Sequence, residues 1–191
     1  GVKMADPAKV TEDVARAWYE AGTPKHPYEG ETKPLQEDVQ YRTGDKYTWL
    51  KAPRYDGEPC EVGPLARVLV AYGNGHKDIA PLVNDTLKKL DIPVTALFST
   101  LGRTAARGLE TIAIGEAVQG WMMELIENLK AGDAATYEAY ELPDEGMGVG
   151  LNDVPRGALG HWIKIKDKKI ENYQYVVPST WNLGPRCSQG K

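Results

Sequence analysis

A long run of apolar residues at helical spacing between Pro93 and Gly132 constrains this chain more than any other feature of its sequence. Leu, Ile, Val, Ala and Trp recur there three and four residues apart, which places them on one face of an α-helix. The segment predicts one long helix or two consecutive ones. Glycine weakens a helix by about 1 kcal/mol relative to alanine but lets a second helix approach closely. We therefore expect this segment to be buried in a helical bundle, with another helix packed against its four glycines, Gly102, Gly108, Gly115 and Gly120.

Shorter helices are predicted before this segment. Asp6 is a typical N-cap, and Pro7 suits the first helical position. The apolar residues that follow recur at helical spacing as far as Gly22, so we expect a helix from Asp6 to Gly22. Two further apolar runs predict helices over Leu65–Tyr72 and Asp78–Leu90.

The end of the chain changes from helical spacing to alternation. Apolar and polar residues alternate from Leu159 to Lys166, and a second strand-like run extends from Ile170 to Val177. Asp167-Lys168-Lys169 separates the two runs, which is typical of a β-hairpin. A shorter strand is predicted over Tyr47–Leu50.

These elements together predict an α+β fold: mainly a helical bundle with long loops, plus a small antiparallel β-hairpin region. Residues 1–135 are expected to be helical, residues 136–153 a linker, and residues 154–191 the hairpin with its flanking loops. The 41% hydrophobic content allows a buried core. The net charge of −4 argues against a nucleic-acid-binding protein, which usually carries a basic excess.

One guanidinium, one hydroxyl and several apolar side chains are expected at the same end of the hairpin. Once its strands pair, Pro155-Arg156-Gly157 lies near the segment from Val176 to Asn182. Such a set suits a small hydrogen-bond-accepting group in a largely dry pocket. A structural alternative stays open, in which Arg156 binds a backbone carbonyl and Ser179 caps a turn.

Side chains that ligate metals are scarce. The chain has three histidines, His26, His76 and His161. None forms the i, i+4 pair that puts two ligands on one helix face, and we expect structural roles for His26 and His161. Cys60 and Cys187 are too few for a disulfide framework or a four-thiolate metal site.

Six short blocks along the chain resemble, in order, those of the large subunit of nickel–iron hydrogenases, in particular the membrane-associated uptake group. The blocks are His26–Gly30, Trp49–Arg54, Glu61–Arg67, Ser99–Arg103, Pro155–Trp162 and Val176–Asn182. Each block alone is modestly specific, whereas six in the same order extend the resemblance over nearly the whole chain.

The resemblance implies reversible oxidation of dihydrogen to protons and electrons at a Ni–Fe centre whose iron carries two cyanides and one carbon monoxide. Arg156 matches the arginine whose guanidinium hangs over the open coordination position. The match implies that Arg156 is either a base for heterolytic cleavage, which is unusual for so strongly basic a group as a guanidinium, or a group that polarises bound hydrogen.

The other site residues implied by the resemblance surround the diatomic ligands. Pro155 and Arg156 match part of the pocket for these ligands, and Ser179 matches the residue whose hydroxyl and amide bind a cyanide. The apolar residues of this pocket match Leu159, Val177 and Pro178. The backbone carbonyl of Tyr175 matches a ligand of a structural magnesium or iron ion, for which oxygen donors are suitable.

The chain departs from the family at the nickel. Four cysteines in two Cys-x-x-Cys pairs hold nickel there, and neither pair is present, nor is the glutamate that passes protons from nickel. Cys60 and Cys187 cannot replace four thiolates. We therefore expect an internal fragment, or an incomplete part of a longer polypeptide that is inactive alone.

Partners follow from the same resemblance. An iron–sulfur small subunit would carry the clusters, since two cysteines cannot hold one. The remaining large-subunit segments would supply the nickel ligands, and a membrane cytochrome would be reached through the small subunit at a periplasmic membrane face.

Two alternatives to a hydrogenase remain open. One is the metal-free relative in NADH–quinone oxidoreductase, which shares the Pro-Arg-Gly block and serves as a quinone-cavity and coupling subunit. The other is a structural fragment without activity. The block from Pro178 to Asn182 favours the hydrogenase.

Overall fold

The chain forms two compact units in a computed structural model that describes residues 6–20, 22–35 and 44–191. The helical unit contains Pro64–Glu141, and the sheet unit combines Lys3–Gly63 with Leu142–Lys191. The α+β class is confirmed by the elements of the two units. Within the described ranges, no helix has the length and apolar character needed to cross a bilayer.

Helix α1 (Pro64–Gly73) and helix α2 (Ile79–Leu90) of the helical unit confirm the two short helices predicted there. Pro64 occupies the first position of α1, where a missing N–H costs nothing. Helix α2 is capped at Asp91, whose left-handed φ of 52° lets the following Ile92 N–H donate to the Leu87 carbonyl oxygen at 3.1 Å. The buried core of this unit contains Leu65, Val68, Ile79, Val83, Leu97, Ala106 and Leu109.

The long periodic segment forms a short 3₁₀ turn, Val94–Phe98, and then one continuous helix, α3 (Thr100–Lys130). Ser99 caps α3, because its Oγ accepts a hydrogen bond from the Gly102 N–H at 3.0 Å. A Cβ at Gly102 would lie 2.3 Å from the Leu97 carbonyl oxygen, so this position requires glycine.

The prediction that another helix packs against the other three glycines of α3 is wrong for the described residues. A Cβ at Gly108, Gly115 or Gly120 would meet no atom within 4 Å. The apolar side chains along the later part of the helix, including Trp121 and Leu125, are exposed.

The sheet unit contains two antiparallel sheets. Strand β1 (Val10–Asp13) pairs with β2 (Ala52–Tyr55), with Val10 opposite Tyr55. The apolar cluster of the unit is small: Val10, Trp162 and Val176 are buried, and Tyr28, Tyr55 and Trp181 pack against them.

The second sheet has three strands in the order β3 (Glu145–Val154), β4 (Gly157–Lys166) and β5 (Lys169–Val176). The predicted hairpin of β4 and β5 is confirmed, with His161 opposite Tyr175. Asp167 and Lys168 both have positive φ, 52° and 57°, as a tight two-residue hairpin turn requires. Helix α4 (Pro178–Leu183) follows the sheet directly.

The helix predicted from Asp6 to Gly22 is wrong. The Asp6 carboxylate caps only a 3₁₀ turn, Pro7–Lys9, before the chain enters β1. Pairing with β2 outweighs the helical spacing, since local propensity is a weak prior against tertiary contacts. Farther along, Lys46 Nζ donates to three carbonyl oxygens, those of Val14 at 3.1 Å, Ala17 at 2.7 Å and Tyr19 at 2.9 Å.

Two other boundaries need correction. The strand predicted over Tyr47–Leu50 is wrong, because only Thr48 forms an isolated bridge there and the strand proper, β2, starts at Ala52. Residues 145–153, assigned to the linker, belong to β3. The described residues before Pro64, expected to be helical, carry β1 and β2 and fall in the sheet unit.

Candidate functional site

The turn that carries Arg156 connects β3 to β4 and lies against a second loop of the sheet unit. A Cβ at Gly63 would be only 2.8 Å from the carbonyl oxygen of Arg156. Conversely, a Cβ at Gly157 would be 2.6 Å from Val62 Cγ2 and 2.7 Å from the Gly63 amide nitrogen. Both glycines have positive φ, 119° and 134°. The two backbones therefore touch where neither position tolerates a side chain.

The segment that carries Ser179 is joined to the same loop. Asn182, in the last turn of α4, accepts a hydrogen bond from the Val62 N–H at 2.9 Å through Oδ1. Its Nδ2 donates to the Val62 carbonyl oxygen, also at 2.9 Å. Val62 and Gly63 thus link the Arg156 turn to α4, which brings the two ends of the hairpin together.

The polar groups expected at this site are available to a ligand. Arg156 is exposed, and its guanidinium makes no hydrogen bond or ion pair with the described residues. Ser179 is half-buried, and its hydroxyl has no hydrogen-bond partner in the described part of the chain. Within residues 6–20, 22–35 and 44–191, the structural alternative, in which Arg156 binds a carbonyl and Ser179 caps a turn, is not observed.

An apolar groove of about 590 Å³ lies beside this turn. Leu159 lines it, together with Cys60, Val62 and the buried Trp162. Burial in this apolar setting raises the pKa of the Cys60 thiol. The groove contains Leu159 alone of the expected site residues, whereas Pro178 is buried and Pro155 is exposed outside it.

Val177 and Tyr175 line a different cavity, of about 410 Å³. Lys51 lies there with its ammonium 3.5 Å from the Glu12 carboxylate and 3.0 Å from Gln174 Oε1. Glu12 is 7% exposed, and its burial raises the pKa of the carboxyl, although Lys51 opposes the shift. The expected site residues therefore surround two cavities of the sheet unit rather than one.

The described residues do not fit a complete metal-binding site. No group of three or more His, Cys, Asp or Glu side chains within residues 6–20, 22–35 and 44–191 could hold a metal ion. Cys60 is half-buried and Cys187 is buried, and both are free thiols. In the cavity that Tyr175 lines, the Glu12 carboxylate is already paired with Lys51. The described residues therefore offer hydrogen-bond donors and apolar side chains rather than a set of nickel ligands.

The histidines have the structural contacts expected of them. His26 Nε2 lies 2.9 Å from the Pro7 carbonyl oxygen, and Nδ1 accepts a hydrogen bond from the Tyr28 N–H at 3.2 Å. His161 Nδ1 is 2.5 Å from the Tyr173 hydroxyl and half-buried rather than in the core.

Sequence reasoning missed the side chains that assemble the site. Asn182 and Val62 lie in recognised blocks but 120 residues apart, and no periodicity connects them. The helical spacing predicts a helix at Glu12, so its proximity to Lys51 does not follow from the sequence. Gly157, directly after Pro155-Arg156, is a sequence signal of a close backbone approach.

The sequence matches the family described as "Nickel-dependent hydrogenase" over residues 1–191. It is 44% identical to the uptake hydrogenase large subunit of Rhodobacter capsulatus, over 99% of this chain and 35% of that protein. It is 41% identical to the quinone-reactive Ni/Fe-hydrogenase large chain of Wolinella succinogenes, over 95% of this chain and 34% of that protein. The chain thus spans about a third of the length of these relatives.

Solved structures agree with the sequence matches. The fold is similar to that of the [NiFeSe]-hydrogenase of Dm. baculatum, with a TM-score of 0.81 and 37% identity. The match covers 97% of this chain and 37% of that chain. A second similar structure, the Ni-Fe-Se hydrogenase of D. vulgaris Hildenborough, gives a TM-score of 0.78 at 35% identity over 97% of this chain and 38% of that one.

Proposed function

Because the chain belongs to the nickel-dependent hydrogenase family, we propose that it is part of a hydrogenase large subunit that reversibly oxidises dihydrogen to protons and electrons. The observation that supports this most is the Arg156 guanidinium, which has no partner among the described residues and belongs to a turn held through Val62 and Gly63 beside the helix that carries Ser179. The match to the hydrogenase family favours this function over the quinone-cavity alternative.

When bound, a Ni–Fe centre with cyanide and carbon monoxide ligands supplies the site at which dihydrogen is split. The residues of this chain would form one wall around it. Arg156 would supply a positive charge and N–H donors to the bound centre, and exclusion of water in the assembled enzyme would strengthen these electrostatic contacts without rearrangement. The hydroxyl and amide of Ser179 would donate hydrogen bonds to a cyanide.

Apolar residues complete this wall. Pro155, Leu159, Val177 and Pro178 would exclude water around the diatomic ligands, so that the hydrogen bonds of Arg156 and Ser179 are not exchanged with solvent. The thiolate ligands of nickel would come from segments outside this chain, because the described residues contain no such set.

The Tyr175 carbonyl is proposed as one oxygen ligand of a structural magnesium or iron ion. It borders the cavity that contains Glu12, a carboxylate of the type that hard cations prefer. Lys51 already compensates the charge of Glu12, so the remaining ligands would also come from outside this chain.

We further propose an iron–sulfur small subunit as the electron-accepting partner and the remaining large-subunit segments as the nickel-binding part. A membrane cytochrome, contacted through the small subunit, and a periplasmic location fit the uptake and quinone-reactive enzymes named among the relatives.

The substitution Arg156→Lys in the assembled enzyme tests the proposed function. Lysine keeps the charge but lacks the planar, two-point donor geometry of arginine, so dihydrogen oxidation should fall about 100-fold or more. Nickel and iron content should stay unchanged. Arg16→Lys is the matched control, because Arg16 is a half-buried residue paired with Asp45 and lines neither cavity of the site. Full activity of the Arg156→Lys enzyme would remove Arg156 from the chemistry.

A further inference from the structure

The side-chain amide of Asn182 binds both the backbone N–H and the backbone carbonyl of Val62, which lies 120 residues earlier in the chain. It lies three residues after Ser179 in α4, so the two side chains share a face of one helical turn. Oδ1 accepts from the Val62 N–H, and Nδ2 donates to the Val62 carbonyl oxygen, each at 2.9 Å. A neighbouring β-strand would bind the same two groups in the same way.

The contact made by Val62 and Gly63 transmits this restraint to the Arg156 turn. Gly63 leaves no space between its Cα and the Arg156 carbonyl oxygen, and Gly157 leaves none toward Val62 Cγ2 or the Gly63 nitrogen. Backbone that is already in contact cannot be displaced on one side without moving the other or opening a gap. The position of the Arg156 turn is therefore tied to the position of α4.

We infer that Asn182 is a positioning residue, which holds the turn of Arg156 in register with Ser179 so that one short helix places both polar groups of the site. This inference rests on the proposed function, which gives Arg156 and Ser179 their roles. It adds a residue that touches neither substrate nor metal and acts through the Val62 backbone.

The variant Asn182→Asp tests the inference in the assembled large and small subunits. Aspartate keeps the size and one oxygen acceptor, but its second oxygen replaces the Nδ2 donor and repels the Val62 carbonyl. Because a displacement of about 1 Å can cost 100-fold in rate, we expect kcat to fall about 10- to 100-fold with KM for dihydrogen within about twofold. Nickel and iron content should not change. The infrared stretching bands of carbon monoxide and cyanide should shift, since the donors around them move.

Asn74→Asp is the matched control. The Asn74 side chain donates to the Val70 carbonyl within the helical unit, at 2.6 Å, so the same change of amide to carboxylate should leave kcat and the infrared bands unaltered. Asn182→Ala removes the two hydrogen bonds without adding charge and should shift the bands in the same way as Asn182→Asp.

The double variant Arg156→Lys, Asn182→Asp separates positioning from general destabilisation. If Asn182 acts through Arg156, the double variant should be no slower than Arg156→Lys alone, because two residues in one pathway are not additive. Additive losses, unchanged bands in both Asn182 variants, or loss of nickel from them would overturn the inference. Wild-type activity of Arg156→Lys would overturn the proposed function instead, and the band shifts of the Asn182 variants would still report on positioning.

Discussion

Among the described residues both units bury seven apolar side chains, but in the helical unit all seven form one cluster around α1, α2 and the start of α3, whereas in the sheet unit only three belong to one cluster. The sheet unit is joined in addition by polar side chains that bind backbone far away in sequence. Asn182 binds Val62, and Asn172 donates to the Tyr28 carbonyl across 144 residues. Ser188 donates to Asp13 across 175 residues.

The difference shows where each unit is vulnerable. Apolar burial is distributed over many side chains and is roughly proportional to area. A polar contact depends on one geometry, and removal of one partner leaves the other unsatisfied. Single substitutions should therefore change the free energy of unfolding by larger and more position-dependent amounts in the sheet unit than in the helical unit.

The largest difference between the units in the free energy of unfolding is expected when glycine is replaced by alanine in each of them. Gly157→Ala places a Cβ within 2.6 Å of Val62 Cγ2 at a φ of 134°, which should lower the free energy of unfolding by about 3 kcal/mol. Gly115→Ala adds a methyl group to open space on α3 and should raise it by up to about 1 kcal/mol. Urea unfolding of both variants measures the two changes in the free energy of unfolding. Changes of the same sign in both variants would contradict the proposed difference between the units.

Two adjacent carboxylates of β1 should show opposite pH dependence. Burial alone would raise the pKa of Asp13, but hydrogen bonds from Ser188 and Ala15 lower it overall. Asp13 therefore stabilises the fold above its ordinary pKa of 3.8 and loses this effect as the pH falls. Burial raises the pKa of Glu12, so its contribution is present below 4.5 and is lost as the pH rises through the folded pKa.

The variants Asp13→Asn and Glu12→Gln isolate these contributions. Asp13→Asn should lower the free energy of unfolding at neutral pH by about 2 kcal/mol and flatten its decline in acid. Glu12→Gln should flatten the decline above pH 4.5. Thermal unfolding from pH 3 to 8 provides the measurement. Parallel pH profiles for the two variants would refute the assignment of the shifts.

The smallest loss in the free energy of unfolding is expected for a substitution at the N-terminus of α3. Ser99→Ala removes the hydrogen bond from the Gly102 N–H to the Ser99 Oγ, which should cost about 1 kcal/mol. Thr104→Ala is a suitable control, since its hydroxyl donates only to the Thr100 carbonyl of its own helix. A loss at Ser99 as large as that at Gly157 would show that the helical unit also depends on single contacts.

The two units also differed in how much the sequence could predict. Helices α1 and α2 and the hairpin of β4 and β5 were predicted because their patterns are local. Strand β3 was missed because glycine is uncommon in strands, and its residues Gly146, Gly148 and Gly150 alternate with Met147, Val149 and Leu151.

The candidate site was predicted in part for the same reason. Arg156 and Ser179 were identified from short blocks that resemble a family, and their roles stay predictions. The contacts that position their backbone, from Asn182 to Val62 and from Gly63 to Arg156, join segments that are more than ninety residues apart. Neither composition nor spacing specifies such a pairing.

The contact of Lys46 with three carbonyls gives one loop of the sheet unit an unusual kind of cooperativity. The backbone from Val14 to Tyr19 depends on a single ammonium for three hydrogen bonds. A loop held by separate donors would fray one bond at a time, whereas here all three bonds form or break with the same side chain. Loss of this side chain would therefore free three carbonyl oxygens at once and leave the segment to its backbone bonds, such as those from the Trp18 N–H to Thr48 and from the Tyr47 N–H to Arg16.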